Sequence, residues 1–175
     1  MPKLYAARGA TNNILNACIY NRTYLAPFWD IQSSEDHVKN AGYGEDMYSG
    51  VLETWSHSKR FIVADNARLL HQYAPCFHAQ TILDAYNITH VNYLSVDAEG
   101  SDEVILRAID WSRFSADVIS FEWTEEEMYY SVENFLVREI GYEHVELVGL
   151  DAMFFKKKIF DVPRASAHIL SVPAT

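Results

Sequence analysis

Residues 93–123 read YLSVDAEGSDEVILRAIDWSRFSADVISFEW, and this stretch decides the fold class. Residues 93–96 and 118–121 are short apolar runs that end in acids: Asp97 and Glu99 follow the first, Glu122 the second. The spacing between them is helical. Val104, Ile105, Ala108 and Ile109 fall on one face, Ser101 stands at the N-cap position, and acids fill the first turn, where the helix dipole favours them. A strand, a helix and a second strand, with carboxylates at both carboxyl ends, is the pattern of an open α/β sheet. In such sheets the ligand crevice lies at those ends.

Upstream, residues 2–10 read as a short helix between Pro2 and Gly9. Residues 14–20 (ILNACIY) suit a buried strand, and Asn21-Arg22-Thr23 turns it into a second strand over 24–31. Residues 32–50, with Gly42, Gly44 and Gly50, read as a long loop, and 51–63 as a hairpin around His57-Ser58-Lys59-Arg60. A helix is expected after Pro75, through Phe77, Ile82, Leu83 and Tyr86, with Asn87 on its C-terminal side. Residues 91–96 are then a strand.

Downstream, Thr124 and Glu127 form a capping box. The helix it opens carries Met128, Val132, Phe135, Leu136 and Ile140 on one side and stops at Gly141. Residues 144–148 and 152–156 read as a closing hairpin through Gly149, and the tail 158–175 lacks periodicity. The alternation after residue 75 predicts a parallel sheet with helices on its faces.

The 175 residues fit one domain, and a 49% hydrophobic share suits a packed core. Asp and Glu number 24 against 14 Lys and Arg, which excludes a nucleic acid as the main partner, because phosphate backbones need concentrated positive charge. The same charge suits a cationic small molecule, or simply solubility. Cys18 and Cys76 do not make a zinc motif or a disulfide framework, so both are expected reduced and partly buried. No window approaches the roughly 18 apolar residues of a membrane span. Residues 1–13 lack a signal peptide's apolar core, so the expected compartment is the cytoplasm, and the sequons at Asn21 and Asn87 read as chance matches.

The run Asp97-Ala98-Glu99-Gly100, Ser101, an apolar helix, Ile109-Asp110-Trp111 and then VISFEW resembles the FkbM family of S-adenosylmethionine-dependent methyltransferases. TILDAYNITHVNYLSVDAEG matches the family's approach to its D-x-E-G motif, and GYEHVELVGLDAMFFKK its closing hairpin; residues 2–63 match loosely, through LNACIYN and MYSG. The resemblance implies a Rossmann-like class I methyltransferase sheet with helices on both faces and a C-terminal antiparallel hairpin. It also implies S-adenosyl-L-methionine as cofactor and O-methyl transfer to the hydroxyl of a small molecule, sugar or lipid.

Such enzymes open with a strand, a Gly-rich turn and a helix, then a second strand ending in an acid that takes the ribose hydroxyls. Neither element is found here. Residues 1–157 are therefore expected to be a partial methyltransferase domain without its first two strands, completed by another chain or by a homo-oligomer. Gly42-Tyr43-Gly44 does not replace the missing turn, since it follows a polar segment and opens no clear helix.

By the resemblance, Asp97 lies nearest the donor and the reacting centre, with Glu99 and Glu122 on the acceptor side. Asn16 and Ala17 line the adenine side, and Gly100 lets backbone approach the cofactor. Methyl transfer from a sulfonium needs alignment more than acid–base power, and a carboxylate can take the acceptor's proton. The bland readings stand beside these. Asp97 or Glu99 could only cap the next helix, and Asn16 and Ala17 serve equally well as core. His57 and His78 read as ordinary surface or core residues. Asp97, Glu99 and Glu122 could instead hold Mg²⁺ in an acidic α/β enzyme, although nothing at short spacing demands a metal. Ser95 and Ser101 lack a nucleophile elbow. A non-catalytic methyltransferase-like interaction module remains the other alternative.

Overall fold

In the computed structural model, residues 15, 17–32, 50, 51, 53, 68–98, 100–123 and 125–157 are described. They belong to two units, Met1–Ala85 and Tyr86–Thr175, each holding one four-stranded sheet.

The first unit contains β1 (Cys18–Tyr20), β2 (Tyr24–Gln32), β3 (Gly50–Val51), β4 (Arg68–His78) and α1 (Ala79–Ala85). Its sheet order is β1-β4-β2-β3. The expected strands at 14–20 and 24–31 both form, but β4 inserts between them. β4 runs parallel to β1 and antiparallel to β2.

This corrects the helix expected from Pro75. Pro75, Cys76 and Phe77 are strand, and the helix starts only at Ala79. The long pairing of β2 with β4 overrides the local reading. Proline is tolerated there because pairing with β1 begins only at Cys76, so one side of Pro75 has no ladder to break. His78 serves the join: its Nδ1 accepts the Gln80 backbone N–H at 3.2 Å. Asn87, beyond the helix, has φ +53, a left-handed conformation that asparagine tolerates.

Parallel pairing sets Cys18 directly opposite Cys76, and the two are joined in a disulfide. This overturns the expectation of two thiols. Their separation of 58 residues in sequence hides a contact that only the sheet makes. Among the described residues no helix is long and apolar enough to cross a membrane. The expected helix at 2–10, the loop at 33–49, most of the hairpin at 51–63 and the tail from 158 lie outside the described residues.

The second unit contains β5 (His90–Val96), α2 (Asp102–Arg107), β6 (Ser115–Glu122), α3 (Glu126–Asn134), a π-helical continuation Phe135–Ile140, β7 (Tyr142–Val148) and β8 (Asp151–Lys156). The sheet order is β5-β6-β8-β7. β5 and β6 are parallel, joined across α2, while β6–β8 and β8–β7 are antiparallel. The expected parallel sheet is therefore mixed. The closing hairpin forms as expected, and its returning strand lies beside β6.

The core of this unit is Leu106, Ala116, Ile119, Phe121, Val132, Leu136, Ala152 and Phe154, none of them exposed. Burial of each larger side chain contributes roughly 1.5–3 kcal/mol. Phe121 stacks on Phe154 with ring centroids 5.7 Å apart. α2 buries Leu106, which the expected apolar face omitted, because it shares the inward face of Asp102, Ile105 and Ile109 at helical spacing. Arg107 ties α2 to α3: its guanidinium donates to Glu103 at 2.8 Å and to Ser131 Oγ at 3.0 Å, and it lies 4.6 Å over the Phe135 ring. The α3 N-cap position belongs to Glu125, not Thr124; Thr124 lies outside the described residues. Gly141 ends the helix as expected, in the left-handed conformation at φ +90.

Tyr142 completes the ladder where β8 falls short. Pairing of β6 with β8 starts at Val118, so among the described residues Ala116 has no strand partner on that side. The buried Tyr142 hydroxyl donates to the Ala116 carbonyl at 2.7 Å and accepts the Ala116 N–H at 3.0 Å. Tyr142→Phe strands both groups in the core. It is expected to lower unfolding free energy by roughly 1–3 kcal/mol, read from urea denaturation with an unchanged m-value.

Candidate active site

The β5–β6 ladder ends at Val96 opposite Phe121. Asp97 and Glu122 are each one residue further on, so two carboxylates stand at adjacent ends of parallel strands, which lie about 4.8 Å apart. Glu122 is in turn paired with Asp151 at the start of β8. Three neighbouring strands thus carry an acid at the same end of the sheet. Asp97 is exposed and Glu122 half-buried. Alternation sets Glu122 on the face opposite the buried Phe121, the face of Ser120. There the Tyr93 hydroxyl and Ser120 Oγ are 2.6 Å apart, and Ser120 Oγ donates to Ser95 Oγ at 3.3 Å. Ser95 is thereby part of a hydroxyl chain on the sheet.

The connection after Asp97 is a tight turn. Ser101 N–H donates to the Ala98 carbonyl at 3.2 Å, and Gly100, the third residue of that turn, has φ +97. Glycine is needed there, as at position i+2 of a type II turn, because a Cβ would be strained at that φ. This gives Gly100 a structural role whatever it binds.

Ser101 occupies the N-cap position of α2, but its side chain makes no capping bond. The neighbouring acid does the bonding instead. Asp102 is 1% exposed. Its two carboxyl oxygens accept the N–H of Ala98 at 3.4 Å and of Gly100 at 3.3 Å. Loss of water around the carboxyl raises its pKa from 3.8 to about 6; the backbone N–H bonds, which act the other way, are too long to offset burial, and the nearby Asp97 charge adds to the rise. Sequence reasoning placed Asp102 among the dipole-friendly acids of the first turn and missed this contact. The one available signal was a second aspartate five residues after Asp97.

The other expected site residues divide. Ala17 is half-buried just before β1, and belongs to the first unit. Glu99, Asn16 and His57 lie outside the described residues. Among the described residues, no three His, Cys, Asp or Glu side chains are grouped to hold a metal ion.

A family model described as a methyltransferase FkbM domain matches residues 4–144. No curated protein and no solved structure matches the chain.

Asp102 makes stability depend on pH with a definite sign. Its folded pKa lies above its unfolded value, so its stabilising contribution is complete below about pH 4 and is lost as pH rises through about 6. A shift of about two pH units corresponds to about 3 kcal/mol. Denaturation of the wild type and Asp102→Asn at pH 4, 5, 6 and 7 is expected to show this decline in the wild type alone.

Proposed function

The chain belongs to the FkbM methyltransferase family, and from that membership we propose that it transfers a methyl group from S-adenosyl-L-methionine to a hydroxyl of a small-molecule, sugar or lipid acceptor. The observation that carries this reading is the register that sets Asp97 beside Glu122 at the carboxyl ends of β5 and β6. We further read the second sheet as the carboxyl half of a Rossmann-like methyltransferase sheet. Its parallel pair, and the antiparallel hairpin whose last strand lies against that pair, support this.

The residues present fit the cofactor's chemistry. Its sulfonium is a cation, and Asp97 offers an exposed carboxylate in a row of three acids. Asp97 would hold the donor, and Gly100 would allow backbone approach. When bound, the cofactor supplies an already activated methyl group. What remains for the protein is alignment and a place for the acceptor's proton. Glu122, half-buried at its strand end, would orient the acceptor hydroxyl and receive that proton.

Calorimetric titration of S-adenosyl-L-methionine into the chain is expected to give saturable binding, weakened at least tenfold in Asp97→Asn. With an acceptor found by screening hydroxyl compounds, Glu122→Gln is expected to lower turnover by roughly 10²-fold, the scale of a lost general base, with donor affinity kept. A chain that takes up no donor at any concentration tested would refute the enzymatic reading.

A further inference from the structure

We propose that Asp102 is the positioning residue of the candidate site: its enclosed carboxyl gathers the Ala98 and Gly100 amides and so sets the backbone on which Asp97 is carried. The consequence for donor binding rests on the methyltransferase reading; the contact itself does not.

The direction of the bonds separates this role from ordinary helix capping. A capping side chain accepts N–H groups downstream, in the first turn of its helix. Asp102 reaches upstream, to amides that precede α2, one of them next to Asp97. Two convergent acceptors are needed, and a carboxyl supplies both from one short side chain. An amide supplies one oxygen and would turn an N–H against the second donor. Burying an acid is unfavourable, so a serine or asparagine would suffice if capping were all that was required.

Among the described residues, Asp97, at the end of β5, is the charged group whose field reaches this carboxyl. On α2 itself Glu103 is engaged by Arg107 and by Ser131 of α3. Protonation of Asp102 weakens its hold on the two amides, since a carboxylate is the stronger acceptor. The turn should therefore tighten as the carboxyl ionises, near pH 6.

The test is an amide NMR titration of the full chain, ¹⁵N-labelled, from pH 4.5 to 7.5. The Ala98 and Gly100 resonances are expected to move together with one midpoint near 6, and to lose that titration in Asp102→Asn. Amides that stay flat, or that titrate alike in both proteins, overturn the proposal, and the wild-type arm needs no variant to fold. A second arm measures S-adenosyl-L-methionine affinity across the same range. Affinity is expected to rise with the same midpoint and to fall at least tenfold in Asp102→Asn, with partial recovery in Asp102→Glu. Donor binding with an unchanged pH profile in Asp102→Asn overturns the positioning role and leaves the methyltransferase reading standing. Titrating amides without donor binding uphold the contact and refute that reading instead.

Discussion

The parallel ladder from His90–Ser115 to Val96–Phe121 is the constraint on which the second unit depends. Side chains alternate across a strand, so a shift of one residue would carry Ile119 and Phe121 to the opposite face of the sheet. Ile119 and Phe121, fully buried, forbid that shift. The same register then settles which residues emerge beyond the ladder, namely Asp97 and Glu122. A site of two acids at neighbouring strand ends is thus a by-product of packing two apolar side chains further down.

Two buried polar side chains of this unit satisfy backbone groups that the sheet leaves open. Tyr142 supplies a donor and an acceptor to a stretch of β6 that β8 does not reach. Asp102 supplies two acceptors to a turn that no strand or helix could satisfy. The two differ in what burial does to them. Both pKa values rise, but a phenol with an ordinary value of 10 stays neutral at physiological pH, whereas a carboxyl raised to about 6 changes state within reach of it. The first is a fixed brace, and the second is sensitive to its medium.

Strands β2, β5 and β6, the closing hairpin and the stop at Gly141 were legible because each is announced locally, by apolar runs or by a glycine that tolerates positive φ. β4 was not. Its Pro75-Cys76-Phe77 segment looks like the start of a helix until β2, more than 40 residues earlier, is laid beside it. The disulfide failed for the same reason, since its partners meet only through parallel pairing of β1 and β4. Asp97 and Glu122 were found as candidates because strand ends carry ligands in such sheets. Asp102 was passed over because an acid in a helix's first turn already has a sufficient local explanation.

By itself, the sequence determined the class of the chain: its alternating strands and helices, its acids after two apolar runs and the FkbM pattern from Thr81 to Trp123 are all carried by neighbours in the chain. Only the tertiary structure decided which strands are neighbours, that Cys18 faces Cys76, and that the Asp102 carboxyl is shut away from water. Periodicity and turn chemistry act over a few residues and can be read in order. Burial and pairing join residues far apart, and they exist only once the chain has closed on itself.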